Sequence, residues 1–300
     1  MPINAHALLS SGGMNTLTGQ PAIIAHGGAG SLCDEHIDPS LAGCRNAASA
    51  GWHVLEAGGA ALDAVVAAVT VLEDNPAFNA GTGATLNADG RVQLDASIMD
   101  GAGLKAGAVA AVERVCNPIQ LARRVLDDGR HVLLVAGGAE RFAREQGIEE
   151  CEPDAFITDA QRQHWEKKHG TVGCVARDSN GRLAAGTSTG GIFGALPGRV
   201  GDSPQIGSGT YANGVGGVSC TGAGEAIIRA VMAKTTVDRL AGGLYAAVAA
   251  NQALELFELQ TQSQAGLIVI DHQGRVGFAR NTSHMPIAWI SGVGEMHAEV

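Results

Sequence analysis

The order of apolar patterns predicts an α+β fold in which two β-sheets carry helices on their outer faces. Three observations point there. In each half of the 300-residue chain, strand-like runs precede helical runs without a strict βαβ alternation. A hairpin signal, Asn180-Gly181, sits between two apolar runs in the second half. The composition, 43 glycines with 45% hydrophobic but only 4% aromatic residues, suits layers packed closely through Ala, Val, Leu and Gly. These glycines have no triplet period, which excludes collagen, and the apolar content excludes a disordered chain. A chain of this length buries roughly three quarters of its unfolded surface, so residues 1–300 are expected to form a single domain.

Ala22 to Ala25 is a short apolar run ending in His26-Gly27-Gly28-Ala29-Gly30, a buried strand entering a glycine turn. A phosphate-binding loop is the alternative, but no Lys-Ser/Thr follows and the dinucleotide spacing is absent. Helical spacing runs from Leu41 to Gly58 and from Ala60 to Asp74, broken by Gly58-Gly59. Asp63 falls in the first turn of the second helix, where the helix dipole favours a carboxylate. Leu72 to Gly83 has the Pro and Gly punctuation of an ordered loop. Arg91 to Met99, Ala106 to Val112 and His131 to Ala136 read as strands, and Asn117-Pro118 starts a helix between them, with Asn as its cap. From Ala139 to Gly170 the chain turns charged and loses apolar periodicity after Phe142. This stretch reads either as an interdomain linker or, as we prefer, as a mobile tail created by a cut before Thr171. Beyond it, two strands join across Asp178 to Arg182, the second setting Thr187 and Thr189 on one face. Val215 to Cys220 is a strand, Glu225 to Lys234 and Val237 to Leu259 are helices, and Leu267 to Ile270 with Arg275 to Ala279 forms a last hairpin.

Several function classes are excluded. The net charge is −10 and no basic run appears, which argues against nucleic acid as a partner. The six cysteines (Cys33, Cys44, Cys116, Cys151, Cys174 and Cys220) form no Cys-x-x-Cys pair and have no neighbouring histidine cluster. Neither a zinc site nor a disulfide framework is expected, and reduced thiols in a cytoplasmic protein are the simplest account. Residues 1–19 lack the basic start and apolar core of a secretory signal, and no run approaches about 18 uncharged apolar residues, so no membrane partner is expected. The sequon Asn281-Thr282-Ser283 is read as chance.

Chemistry concentrates at Gly170-Thr171, where a polar, helix-like stretch gives way to the apolar run Val172-Gly173-Cys174-Val175-Ala176. A threonine hydroxyl needs a base within hydrogen-bond reach. If the Gly170–Thr171 bond were cut, Thr171 would carry its own base, since a free α-amine has a pKa of about 7.7–8.0. Gly170 also tolerates the strained backbone that helps a hydroxyl attack the preceding carbonyl. A turn glycine before a β-branched strand residue is the bland alternative, and context decides against it. Downstream come Thr187-Ser188-Thr189-Gly190-Gly191, Gly198-Arg199-Val200-Gly201-Asp202-Ser203-Pro204 and Thr221-Gly222-Ala223-Gly224-Glu225. Upstream lie His26 to Gly30 and Asn79-Ala80-Gly81-Thr82-Gly83.

These five blocks, in this order from about Ala22 to Asp271, resemble the plant-type L-asparaginase and isoaspartyl peptidase family of N-terminal nucleophile hydrolases. The resemblance implies a four-layer αββα sandwich, autocleavage into subunits 1–170 and 171–300, and a dimer of the cleaved αβ units. It implies hydrolysis of L-asparagine and of β-aspartyl dipeptides through an acyl-threonine, with no cofactor for the chemistry. Thr189 resembles the threonine that hydrogen-bonds the nucleophile, and Asn79 an asparagine beside it. Thr221 and Gly222, at a strand end where a hydroxyl and a backbone N–H can point together, match the family's oxyanion donors. The His26 loop is implied to support the active site. Main-chain carbonyls of Leu72, Glu73, Asn75, Phe78, Ala80 and Thr82 match those that hold a structural sodium ion.

Arg199 and Asp202 suit a substrate with an α-carboxylate and an α-ammonium, one a guanidinium fork and the other a carboxylate. A surface ion pair, worth about 0–1 kcal/mol, is the alternative. His26, His169 and His284 carry no assigned role. Where the family has polar residues this chain has Phe193-Gly194-Ala195, and Asn281 to Val300 matches loosely. A glycosylasparaginase and an uncleaved, inactive relative with a binding role are the alternatives to the hydrolase.

Overall fold

The computed structural model describes residues 20–157 and 170–300. The expectations for residues 1–19, for His169 and for the last part of the charged stretch lie outside the described residues. The N-terminal part carries β1 (Ala22–His26), α1 (Asp34–Glu56), α2 (Ala61–Glu73), β2 (Leu94–Asp100), β3 (Lys105–Val112), α3 (Pro118–Asp128), β4 (Leu133–Val135) and α4 (Ala136–Glu145). A short 3₁₀ turn follows at Pro153–Phe156. After Thr171 come β5 (Val172–Arg177), β6 (Leu183–Thr189), β7 (Thr210–Ala212) and β8 (Gly216–Gly222). Three helices, α5 (Gly224–Ala230), α6 (Met232–Ala241) and α7 (Ala246–Thr261), precede β9 (Ala265–Asp271), β10 (Val276–Arg280), β11 (Ile287–Ser291) and β12 (Glu295–Glu299).

The strands form an eight-stranded sheet, order β12-β11-β1-β5-β6-β2-β3-β4, and a four-stranded sheet, order β10-β9-β8-β7. All pairs are antiparallel except β3 with β4, which α3 connects. Apolar residues run without a break through β1 and β9 because both faces of these strands are buried. On β1, Ile23 packs with Val65 and Leu72 of α2, whereas Ile24 packs with Val175, Ile268 and Ile270. One residue's step along a strand thus moves a side chain from the helix side to the space between the sheets. Each fully buried Ile or Leu contributes about 1.5–3 kcal/mol. A third cluster joins Val218, Leu267 and Val269 to Ile227, Val237 and Phe257 of the helices after β8.

The structure corrects several boundaries. Helix α1 begins at Asp34 and tolerates Pro39 in its second turn at the cost of one backbone bond, so a start read after the proline is late. Asn117 does not cap α3 with its side chain; its Nδ2 donates to Asp74 Oδ1 at 2.8 Å. The two helices expected over 225–259 are three, broken at Val231 (φ 48°) and at Gly242-Gly243. The final hairpin is followed by another, β11–β12, whose inner strand completes the flank of β1. The charged stretch is neither linker nor free tail over residues 139–157: α4 fills its start, Phe156 is buried, and the Phe156 carbonyl accepts the Gly83 amide at 2.9 Å.

The cysteine reading is also corrected. Cys116 and Cys151 form a disulfide with Cα atoms 5.7 Å apart, brought together by the bridge between Val115 and Glu150. A separation of 35 residues has no spacing signature, so only the fold reveals it. Cys33 does have a histidine neighbour, His36 Nδ1 at 2.9 Å, with Glu35 alongside on the exposed start of α1. Asn281 spends its amide on the Ala265 N–H and the Ser263 carbonyl. Among the described residues no helix is long and apolar enough to cross a membrane.

Candidate active site

Thr171 stands immediately before β5, only 6% exposed, at the floor of a cavity of about 490 Å³. Gly170 lies before it at φ 128°, a conformation that side chains rarely adopt. The crowding is mutual, since a Cβ on Gly28 would come 2.8 Å from the Gly170 Cα. The Gly170 carbonyl receives Asn79 Nδ2 at 3.0 Å and Thr189 Oγ1 at 3.4 Å. Asn79 is itself held at both ends: Nδ2 also reaches the Gly191 carbonyl at 2.7 Å, and Oδ1 accepts the Thr85 amide at 2.8 Å. Thr189 Oγ1 in turn accepts the Gly191 amide at 3.0 Å. Two donors therefore polarise the carbonyl that precedes the threonine.

Gly222, Arg199 and Asp202 line the same cavity, together with Gly30, Ser31, Ile192, Glu225, Gln264 and Thr282. Thr221 adjoins Gly222 behind this lining. It is fully buried, and its Oγ1 accepts the Ala29 amide at 3.1 Å, which leaves its O–H proton to donate elsewhere. His284 serves the architecture, its Nδ1 accepting the Leu32 amide at 3.1 Å while its backbone bridges Gly30.

The Arg199–Asp202 pair is not the local ion pair that its spacing allows. Arg199 Nε and Nη2 grip Glu225 in a bidentate bond at 2.9 and 3.1 Å, so the Nη1 side of the guanidinium remains for another carboxylate. Asp202 is 3% exposed, and its Oδ2 has no hydrogen-bond partner among the described residues. Burial pushes its pKa up to about 7, against the pull of Arg199 and with the added push of Asp95 and Glu225. Gly224 makes room for the arrangement, since a Cβ there would meet Arg199 Nη2 at 2.7 Å and Asp202 Oδ1 at 2.8 Å.

Two contributors escape sequence reasoning. Glu225 stands in the Thr221 to Glu225 block but carries no sign of its guanidinium partner. Asp95 sits at a register shift between β2 and β3. Its Oδ1 accepts the Ala111 amide at 2.8 Å and its Oδ2 the Gly201 amide at 3.1 Å, tying the sheet to the loop that carries Arg199 and Asp202. Burial raises its pKa to about 6. The register shift at a β-bulge, which re-aims one side chain, is invisible in an alternating strand pattern. Phe193 and Ala195 are not part of the main cavity's lining; Ile192 is the apolar residue that this segment presents there.

A family model described as Asparaginase matches residues 19–169 and 166–299. A plant-type L-asparaginase of Pyrococcus abyssi is 46% identical over 308 aligned residues, covering 93% of this chain and 99% of the relative. An isoaspartyl peptidase/L-asparaginase of Danio rerio is 40% identical over 293 residues, covering 92% and 94%. Another of that name, from Bos taurus, is 40% identical over 296 residues, covering 93% and 96%.

Proposed function

This chain belongs to the asparaginase family, and on that premise we propose that it hydrolyses L-asparagine and β-aspartyl dipeptides with Thr171 as the nucleophile. The observation that carries the reading is the pair of donors, Asn79 Nδ2 and Thr189 Oγ1, on the carbonyl of Gly170. They stabilise the oxyanion formed when Thr171 Oγ attacks that carbon. The Gly170–Thr171 amide then breaks, its nitrogen taking a proton, and water hydrolyses the resulting ester. This separates subunits 1–170 and 171–300 and frees the Thr171 amine.

On a substrate, the free amine takes the Thr171 hydroxyl proton while Oγ attacks the side-chain carbonyl carbon. The Gly222 N–H at the cavity wall receives the developing oxyanion, with the O–H of its buried neighbour Thr221 as the second donor once substrate fills the cavity; the proton passes to the leaving nitrogen, and water cleaves the acyl-threonine. Arg199 presents its Nη1 side to the α-carboxylate. Asp202, its Oδ2 buried and unpartnered, takes the α-ammonium. Asparagine and β-aspartyl peptides share that aspartyl end, so one clamp serves both.

The loop from α2 to Gly83 suits a structural sodium ion. Its donors are main-chain oxygens, a set that fits a hard cation. The carbonyl oxygens of Pro76 and Phe78 lie close together beside Gly83, where a Cβ would sit 2.7 and 3.0 Å from them. We assign Leu72, Glu73, Asn75, Phe78, Ala80 and Thr82 to such an ion, which would stiffen the loop that presents Asn79. The three apolar clusters support an αββα layering in one domain, and assembly as a dimer of cleaved αβ units completes the reading. A cytoplasmic setting is part of it too, and there the Cys116–Cys151 bridge must withstand reductant.

The test is the intact mass of the denatured protein after incubation near pH 8, beside Thr171→Ala. Two fragments meeting at Gly170 and Thr171, absent from the variant, together with asparagine turnover, are expected. A single uncleaved species without turnover would leave the family fold in a non-catalytic role.

A further inference from the structure

Behind Thr171, between the two sheets, runs a buried line of side chains that the steps above do not use. His26 ends β1 with its ring fully buried and Nε2 2.9 Å from Ser219 Oγ on β8. Ser219 Oγ lies 2.7 Å from Thr187 Oγ1 on β6, which receives the Thr210 hydroxyl at 2.5 Å. Ser97 Oγ lies 2.8 Å from Thr210 Oγ1 and donates to the Ser203 carbonyl at 2.5 Å, one residue from Asp202.

The residue pairing explains a glycine near the nucleophile. Gly173 faces His26 in the β1–β5 ladder, and a Cβ on it would overlap Ser219 Oγ and sit 2.6 Å from His26 Nε2. The His26–Ser219 bond therefore occupies the space that a side chain two residues after Thr171 would need. Burial keeps the ring neutral, its pKa pushed down to about 3, and the Thr171 main chain is the neighbour that favours a proton on it. Nδ1 has no hydrogen-bond partner of ordinary length among the described residues. A ring fixed at Nε2 is a rigid stop against the backbone at Gly173, two residues after the nucleophile.

We propose that His26, anchored by Ser219 and Thr187, is a positioning residue that sets the backbone of Thr171 for attack. This rests on Thr171 being the nucleophile. Misplacing a reacting group by about 1 Å from a distance can cost 10²-fold in rate. The full-length chain would be prepared as Ser219→Ala, His26→Phe, His26→Gln, and Ser219→Ala combined with Thr187→Val. The cleaved fraction is counted by mass, and kcat and KM for L-asparagine are referred to cleaved enzyme.

Ser219→Ala and His26→Phe are expected to lower kcat by about 10- to 100-fold while KM stays within about twofold. The double variant should be no slower than Ser219→Ala alone, because both substitutions cut one line, and His26→Gln, which keeps a polar atom for Ser219, should recover part of kcat. Should His26→Phe fail to fold, Ser219→Ala carries the same test. Unchanged kcat per cleaved enzyme with a lowered melting temperature would reduce the line to packing and overturn the proposal, as would losses that simply add. A parent protein that neither cleaves nor turns over asparagine overturns the Thr171 reading, and this one with it.

Discussion

On the Thr171 side of the cavity the polar atoms are already engaged. Asn79 makes hydrogen bonds through both amide atoms, Thr189 Oγ1 bonds the Gly170 carbonyl and the Gly191 amide, and the Thr221 oxygen holds the Ala29 amide. On the Arg199 side, Asp202 keeps a buried oxygen without a hydrogen-bond partner among the described residues, and Arg199 is held by Glu225 with part of its fork unspent. The first wall holds its polar atoms fixed around the Gly170 carbonyl, as the proposed chemistry on the chain's own backbone requires. The second is left incomplete in a way that a zwitterionic amino acid would complete, because an unpartnered buried carboxyl is costly until a cation meets it.

The largest effect expected from breaking this contrast is on the engaged wall. Asn79→Ala removes one of the two donors on the Gly170 carbonyl and should slow cleavage by about 10²–10³, read as the time course of fragment appearance by mass. KM for asparagine in whatever enzyme does mature should change little, because the clamp is untouched. An equal rise in KM would show that the two walls are not separate.

Next comes Asp202→Asn. It should cut kcat/KM by about 10²-fold through the lost ammonium contact, while cleavage proceeds. Its stability should move the other way. Folded Asp202 keeps its proton to about pH 7, whereas the unfolded carboxyl loses it near 3.8, so the parent loses stability between those values as pH rises. The amide is spared this loss. Melting curves should therefore show the variant more stable than the parent at pH 8 and indistinguishable from it near pH 4. In the parent, KM should fall as pH rises through about 7, since the ammonium needs the ionised carboxylate. A flat KM profile would remove Asp202 from the clamp.

The smallest effect belongs to Glu225→Gln. Glu225 is largely exposed, and its carboxyl is held below the usual range chiefly by the Arg199 bond. The substitution frees Arg199 to swing and should raise KM a fewfold, roughly the worth of a solvent-screened pair, with kcat and cleavage unchanged. A change in cleavage rate would show that the guanidinium reaches across the cavity.

The engaged wall was the more legible of the two. Gly170-Thr171 and the Asn79 and Thr189 blocks announce themselves by residue type and order, and β1, β5 and β6 by apolar runs buried on both faces. The residues of the proposed clamp stand out by type and spacing, whereas their supports do not. Arg199 and Asp202 read as a pair because they lie three positions apart, whereas the guanidinium is gripped from 26 residues away by Glu225. Asp95 looked like one polar position in a strand, and only the register shift turns its carboxylate onto Gly201. Likewise β7 is too short, and β12 too polar, to show a period, since pairing with a neighbour rather than burial defines them. The Cys116–Cys151 bond depends on a single β-bridge that local pattern does not encode.

The strand order carries one more consequence. β1 comes from before residue 170, yet both strands beside it, β5 and β11, come from after it, and β6 is in turn laid against β2. A cut at Gly170–Thr171 would therefore produce two polypeptides that are dovetailed rather than docked. To part them, three ladders of backbone hydrogen bonds would have to be torn within one sheet. Such a break would cost the molecule its covalent continuity but not its cohesion, so the new amine at Thr171 would be released in place, without a subunit being free to drift away from it.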